Sequence, residues 1–199
     1  MPISSLPAVL AAMATLATPA KESWDSVLKP DVHVETLPHS ALVEVDGQAR
    51  GRGFVTIEVK DPKAILRIRV SAEGFETEEA AVEAARVANG QFVLALRPVG
   101  FARRVDAGDA PSMALAAEAL LRAGRADEAA EYAEQSLRAG KTPLANRVLG
   151  DVWRRRGDRD QATRYYSMYL SLADNPPDGP EIRAWLSRPR DGDITVPAR

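Results

Sequence analysis

Few residues of this sequence are spaced to carry out covalent chemistry. The chain has two histidines, His33 and His39, and no acidic residue stands at a spacing typical of a metal site or an acid–base pair. Three glycines, Gly47, Gly51 and Gly53, lie among strand-forming residues, with no following helix or Lys-Ser/Thr pair, so they do not form a phosphate loop. No nucleophile-elbow pattern occurs. The sequence therefore predicts a protein that is not an enzyme and that holds no metal or cofactor.

Arginines are the residues with the clearest capacity to bind a partner. The span from position 147 to position 164 holds six arginines against three aspartates, so it is locally basic. A guanidinium group can bind a carboxylate through two parallel hydrogen bonds. This span therefore favours an acidic peptide or chain terminus as the partner. The alternative is a solvated surface, because the consecutive residues Arg154 to Arg156 point around the whole circumference of a helix.

Composition excludes several classes of function. The chain has 199 residues, enough for two small domains. Its formal net charge is −2, which argues against nucleic acid as the main partner. The absence of cysteine excludes disulfides, thiolate catalysis and lipid attachment to an N-terminal cysteine.

The first twenty residues resemble a segment for export. Residues 2–20 carry no charge, and an apolar run from Leu6 to Leu16 ends in small residues before Lys21. This is the pattern of a secretory signal peptide, although the usual basic start is missing. The alternative is an alanine-rich apolar segment of the mature protein. The run is shorter than the roughly 20 apolar residues of a membrane-spanning helix, so we expect no stable membrane span. Export to the periplasm or cell envelope is the expected localisation, with the cytoplasm as the alternative.

Residues 31–98 alternate between apolar and polar types with a period of two. Such alternation predicts strands with one buried face, and the short runs between turn residues favour a small antiparallel β-sandwich. The pair Asp46-Gly47 predicts a tight hairpin turn. The segment 78–87 is rich in alanine and glutamate, and its propensity favours a helix. The alternating apolar residues are Val32, Val34, Val43, Val45, Val55, Ile57, Val59, Leu66, Ile68, Val70, Phe92, Leu94 and Leu96.

The β-rich region resembles a PEGA domain. The stretch Pro38-His39-Ser40-Ala41, followed by an alternating strand that ends in Asp46-Gly47, resembles the opening of that domain. Ala72-Glu73-Gly74-Phe75 resembles its Gly-aromatic step, and the segment 90–96 resembles its last strand. His39 and Ser40 stand where the family has glutamate and glycine. The resemblance covers residues 36–98, and it implies a strand where propensity favours a helix at 78–87.

After a linker over residues 99–110, the period changes to that of helices. Apolar residues recur on one face of each of four segments between residues 111 and 172, and glycines separate them. Thr142-Pro143 and the pair Asp158 and Gln161 are typical of helix starts. Gly140 is typical of a helix end. A further short helix over residues 180–187 would cap the array, and the tail 189–199 has no periodicity and is expected to be mobile.

The helical segments repeat at a near-constant interval. Gly124 and Gly157 are 33 positions apart, as are Ala129 and Ala162, and tetratricopeptide repeats have a period of about 34 residues. The second copy resembles that family at its Leu-Gly, aromatic, small and proline positions. These residues are Leu149, Gly150, Trp153, Ala162, Tyr166 and Pro176. The expected fold class is therefore α+β in two domains, a small antiparallel β-sandwich followed by an α-α helical repeat array.

The tetratricopeptide resemblance implies a binding groove lined by the first helix of each repeat. Carried onto this chain, the groove residues are Glu118, Leu121, Arg122, Leu144, Arg147, Asp151, Arg154 and Arg155. The function expected is a non-catalytic adaptor or scaffold of the bacterial cell envelope that binds another protein or peptide. The β-domain would serve as a second contact, with a cell-envelope polysaccharide. The alternatives are a cytoplasmic regulatory or co-chaperone-like module and a carbohydrate-associated enzyme with an unrecognised site.

Overall fold

The computed structural model describes residues 31–61, 63–87 and 91–188. The chain divides into two compact units between Asp109 and Ala110, the first rich in strands and the second helical. The protein is thus an α+β chain in two parts, as the change of periodicity predicts. The predicted export segment, residues 1–20, and the predicted mobile tail, residues 189–199, lie outside the described residues.

Within the described residues of the first unit, the strands fall where the apolar alternation predicts them, with one addition. That addition, β3, has the sequence QARGR and no apolar alternation, so its pairing with β2 and the preceding hairpin turn define it. The elements are β1 (Asp31–Leu37), β2 (Leu42–Val45), β3 (Gln48–Arg52), β4 (Phe54–Glu58), β5 (Ile65–Ser71), β6 (Glu78–Glu83), α1 (Ala84–Val87) and β7 (Gln91–Ala95).

The strands form two sheets, in the orders β4-β1-β7 and β3-β2-β5-β6. Every described pair is antiparallel except β1 with β7, which is parallel. The prediction of a purely antiparallel arrangement is therefore wrong for the three-stranded sheet. A parallel pair needs a long crossover connection, and the chain provides one by building the whole four-stranded sheet between β1 and β7.

The predicted alternation defines the core of the β-rich unit. Each sheet buries one face, and the alternating residues Val34 of β1, Val43 of β2 and Val70 of β5 are fully buried. The intervening positions of β4 and β5 are exposed, including Phe54 and Ile65. Burial of one face of each sheet against a second layer is what a period of two requires.

Two adjacent loops carry the chain between the sheets. Residues 38–41 lead from β1 to β2, and Gly53 leads back from β3 to β4. The Gly53 amide donates to the Ala41 carbonyl at 3.1 Å, and the Gly53 carbonyl accepts from the Thr36 amide at 2.7 Å. Gly53 has a φ of +70°, and a Cβ there would lie 2.6 Å from the His39 carbonyl oxygen. Only glycine fits where these crossings touch.

The tight turn predicted at Asp46-Gly47 is confirmed. Both residues have positive φ, 50° and 77°, and they join β2 to β3. Positive φ at both central positions is the geometry that matches the twist of a two-residue hairpin.

Residues 78–87 combine the two predicted conformations. The strand β6 pairs with β5 from Val70 opposite Glu78 to Ile65 opposite Glu83, so ladder hydrogen bonds override the helix propensity there. Beyond Ile65 the partner strand ends, and the Ala84 amide donates to the Ala64 carbonyl at 2.9 Å. The next four residues, without a ladder partner, form the short helix α1.

The described part of the second unit consists of helices at the predicted positions. α2 packs on α3 and α4 packs on α5, while α4 also contacts α2 and α3, and α6 contacts α5. No helix in the described residues is long and apolar enough to cross a membrane. The helices are α2 (Ala110–Arg122), α3 (Ala126–Ala139), α4 (Pro143–Arg155), α5 (Arg159–Leu172) and α6 (Gly179–Leu186).

The turns that end α2 and α4 have the same geometry. Gly124 and Gly157 have φ values of 81° and 79°, and the backbone hydrogen bonds around them recur with an offset of 33 residues. The recurrence shows that the two helical hairpins are copies of one local structure. The matching amide-to-carbonyl bonds are Gly124 to Leu121 with Gly157 to Arg154, Arg125 to Leu120 with Asp158 to Trp153, and Ala129 to Arg125 with Ala162 to Asp158.

The predicted helix ends are correct in position but not always in chemistry. Asp158 caps α5, because its Oδ1 accepts from the Gln161 amide at 2.9 Å. Thr142 makes no cap bond, and its hydroxyl instead lies 2.6 Å from the Ser136 hydroxyl. Gly140 has an extended φ of 175°, so the predicted left-handed C-cap is wrong. A Cβ at Gly140 would lie 3.3 Å from Ala110 Cβ, which indicates close packing as the reason for glycine.

Candidate functional site

Arg147 is the centre of a charged network in the helical unit. It lies on α4, and its guanidinium contacts carboxylates from three places in the chain. Nη1 is 3.4 Å from Glu118 Oε1 on α2, and Nη2 is 3.9 Å from Asp151 Oδ2 one turn along α4. Nε donates to Asp178 Oδ2 in the loop before α6. The Arg147 side chain is 30% exposed, so water screens these contacts only in part.

Two tyrosines of α5 hold the carboxylates of this network. The Tyr169 hydroxyl donates to Asp178 Oδ1 at 2.6 Å, and the Tyr166 hydroxyl donates to Asp151 Oδ1 at 2.6 Å. On α2, Glu118 Oε1 also accepts from Arg122 at 2.8 Å. The network therefore joins α2, α4, α5 and the start of α6.

The protonation states of these groups follow from their contacts. Burial opposes ionisation of Asp178, but hydrogen bonds from Tyr169 and Arg147 hold its pKa below the ordinary value. Burial likewise disfavours the Arg147 cation, yet Asp151 and Asp178 raise the pKa of that guanidinium overall. Burial and the bond to Asp178 raise the pKa of Tyr169 to about 12. At neutral pH, Asp178 and Arg147 are thus an ion pair, and Tyr169 is a neutral donor.

The network lines an open concavity of about 550 Å³. Its lining includes three carboxylates and one guanidinium, a formal sum of −2, together with an apolar wall from a leucine, a proline and a tyrosine ring. Such a surface can hold an extended chain segment with mixed apolar and charged side chains. The lining residues are Glu118, Leu144, Arg147, Tyr169, Pro177, Asp178 and Glu181.

The concavity contains three of the predicted groove residues: Glu118, Leu144 and Arg147. Each of these lies on the first helix of a hairpin, α2 or α4. The tetratricopeptide resemblance assigned those two helices to the groove.

Three other predicted residues contact the lining without being part of it. Asp151 pairs with Arg147, and Arg122 pairs with Glu118. Arg154 Nη1 lies 3.8 Å from Glu181 Oε1. These residues therefore set the charge of the concavity rather than its shape.

The remaining two predicted residues belong to helix packing. Leu121 is buried, with 5% of its surface exposed. The Arg155 guanidinium donates to the Leu121 carbonyl at 3.3 Å, which joins α4 to the end of α2. Neither residue lines the concavity.

Four lining residues, Tyr169, Pro177, Asp178 and Glu181, were not predicted as groove residues. Three of them lie at the start of α6, which the sequence analysis treated only as a cap. The 33-residue interval identifies α6 as a third first helix, because Pro176 follows Pro143 by that interval. Extending the repeat by one more step would have placed the start of α6 beside the groove.

Arginines in the basic span bind within the protein. Besides Arg147 and Arg155, Arg156 donates to Asp127 on α3 and stacks over the Trp153 ring at 4.8 Å. Arg159 donates to the Trp185 carbonyl at 3.4 Å and stacks over that ring at 4.9 Å. The partners lie about one repeat away in sequence. The guanidinium groups that would capture an acidic peptide are therefore already engaged by groups of this chain.

Both histidines have contacts on the surface of the β-rich unit. His33 Nδ1 lies 3.1 Å from Thr56 Oγ1, and its ring stacks on Phe54 with centroids 5.9 Å apart. His39 Nε2 lies 3.3 Å from Glu35 Oε1, an acidic contact that the sequence analysis overlooked. Among residues 31–61, 63–87 and 91–188, no three His, Cys, Asp or Glu side chains are grouped to hold a metal ion.

No family model matches the chain, and neither does any curated protein. Its class therefore rests on the fold and on the concavity described above. The relevant features are the two helical hairpins related by 33 residues and the lining that three successive first helices share.

Proposed function

We propose that this chain is a non-catalytic adaptor that binds a partner protein in the concavity of a tetratricopeptide-type array. One observation carries the proposal: α2, α4 and α6 each contribute to the lining, through Glu118, Arg147 and Glu181. In helical repeats of this type, successive first helices form the inner surface, and the exposed concave face is used for binding. The mixed apolar and charged lining suits a peptide segment.

The packing inside the second hairpin supports the tetratricopeptide assignment. A Cβ at Gly150 would lie 2.4 Å from Tyr166 Cδ1, so the tyrosine ring lies directly on the glycine backbone. Trp153 packs against the same buried cluster as Tyr166, together with Ile182 of α6. Close approach at a small residue, filled by an aromatic ring, is how two helices of such a hairpin fit together. In the first hairpin, Ala117 and Ala133 stand 33 residues earlier.

The β-rich unit is proposed to be a PEGA-like β-sandwich. Its opening segment, residues 38–41, and Gly53 form the adjoining crossings between the two sheets, which gives that segment a structural role. Together with the uncharged apolar residues 2–20, this resemblance favours an exported protein of the cell envelope.

Sequencing the N-terminus of the protein purified from fractionated cells would test the proposed export. We expect a mature chain in the envelope fraction that begins close to Lys21. An intact Met1 in the cytoplasmic fraction would contradict export, and the cytoplasmic regulatory module would become the better proposal.

Affinity capture from native envelope extracts would test the groove. Leu144→Arg places a long cation on the apolar wall, and we expect at least a tenfold loss of the captured partner, identified by mass spectrometry. Leu172→Arg is the matched control, because Leu172 is an exposed leucine at the end of α5 that does not line the concavity. Equal thermal unfolding of the two variants would show that binding alone has changed. Undiminished capture by Leu144→Arg would refute the groove.

A further inference from the structure

We infer that the partner segment in the concavity presents a lysine or arginine side chain, not an acidic one. This inference rests on the proposed function and names the chemistry of its partner. It reverses the expectation that the arginine-rich span creates a basic groove.

The charge of the lining is the first argument. Glu118, Asp178 and Glu181 outweigh Arg147, which leaves a formal charge of −2. Adding the ion-paired neighbours Asp151, Arg122 and Arg154 changes the sum to −1, so the surface stays negative. Within a distance comparable to the Debye length of about 8 Å, such an excess attracts a cationic group and repels a carboxylate.

The carboxylates differ in their capacity to accept further hydrogen bonds. Both oxygens of Asp178 are engaged, one by Tyr169 and the other by Arg147. Glu118 makes both of its contacts through Oε1, so within the described residues Oε2 is left to accept. The Glu181 side chain is 76% exposed, and its contact with Arg154 is a long 3.8 Å. A bound cation would therefore contact Glu118 and Glu181, on α2 and α6.

The shape of the lining suits a long basic side chain. Leu144 and Pro177 provide carbon surface beside these two carboxylates, and the Tyr169 ring adds to it. Lysine and arginine side chains bury an aliphatic stem along such a surface while the charged end reaches a polar partner. A small inorganic cation could not use the apolar wall, and a peptide carboxylate would have to approach three like charges.

Selection from a display library of random heptapeptides, using the full-length protein as bait, tests the inference. We expect lysine and arginine to be enriched about threefold or more over the starting library, with aspartate and glutamate depleted. The double variant Glu118→Gln with Glu181→Gln keeps the shape of the lining and removes two charges, so the enrichment should disappear. Glu134→Gln is the matched control, because Glu134 is an exposed residue of α3 outside the lining, and its enrichment should equal that of the unmodified protein.

The outcomes separate this inference from the proposed function. Peptides that require Leu144 but carry no basic residue, or that carry acidic residues, would overturn the inference and leave the groove intact. The same result follows if the double variant still selects basic peptides. Selection unaffected by Leu144→Arg, or no selection by the unmodified protein, would count against both proposals.

Discussion

Arg147 is the residue at which the polar contacts of the helical unit converge. Its guanidinium contacts Glu118, Asp151 and Asp178, which come from α2, α4 and the loop before α6. A planar group with five donors can satisfy several carboxylates at once, and lysine cannot reproduce that geometry. Arg147 therefore joins successive repeats, and its contribution to stability depends on the three acidic groups around it.

Replacing Arg147 with alanine should destabilise the helical unit by about 2 kcal/mol, because it leaves three carboxylates near one another without their shared cation. Arg122→Ala is the matched control. Arg122 also pairs with Glu118, but its side chain is 75% exposed, so we expect a change below about 0.5 kcal/mol. Urea denaturation followed by circular dichroism measures both. Equal effects of the two substitutions would mean that Arg147 has no special role.

At the scale of elements, the two hairpins solve the same packing problem with different residues. α4 and α5 approach at Gly150, where the Tyr166 ring lies on the backbone. The equivalent positions of α2 and α3 are Ala117 and Ala133, both fully buried. One hairpin thus combines the smallest residue with a large ring, and the other combines two small residues.

Gly150→Ala should therefore destabilise the protein by about 1–3 kcal/mol through overpacking against Tyr166, although alanine gains about 1 kcal/mol in helix propensity. Tyr166→Ala leaves a cavity and should also be destabilising. The double variant recreates the alanine pair of the first hairpin, so its loss should be smaller than the two single losses combined. Thermal or chemical unfolding of the three variants gives this coupling. Additive losses would show that the ring and the glycine do not constrain each other.

The elements that periodicity could predict are those with one buried face. The alternation of β1, β2, β4, β5 and β7 and the apolar stripes of the helices are visible in sequence because burial imposes a period. β3 and β6 lack this signal. β3 is almost wholly exposed, and β6 is a strand because β5 offers it a ladder partner, against the propensity of its alanines and glutamates.

At the scale of the molecule, the location of the site could be predicted from sequence, but its charge could not. The repeat interval placed Glu118, Leu144 and Arg147 in one groove, because equivalent positions of a solenoid lie on one surface. A local count of arginines suggested a basic groove. That count could not include Asp178, which lies 31 positions beyond Arg147 and contacts it only after α6 folds back. Charge is a property of the folded surface, so it depends on contacts that sequence windows do not contain.

The distribution of tyrosines gives the whole molecule a predictable response to alkali. All four tyrosines belong to the helical unit, and the pKa values of Tyr132, Tyr166 and Tyr169 are raised, chiefly by burial. An unfolded tyrosine ionises near pH 10, whereas the pKa of Tyr169 is about 12 in the folded chain. The stability that these phenols contribute is therefore complete below about pH 10 and is lost as the pH rises through the folded pKa values.

We expect the helical signal in circular dichroism to disappear in the same alkaline transition in which tyrosinate absorbance develops, above about pH 10, because ionisation requires the phenols to leave the folded unit. Tyr169→Phe removes one ionising group, so stability should decline less steeply with pH, by about one proton. The same variant should be less stable at neutral pH, because Asp178 loses a hydrogen-bond donor. Tyrosinate absorbance that develops fully near pH 10, with the helices still intact, would contradict the burial of these phenols.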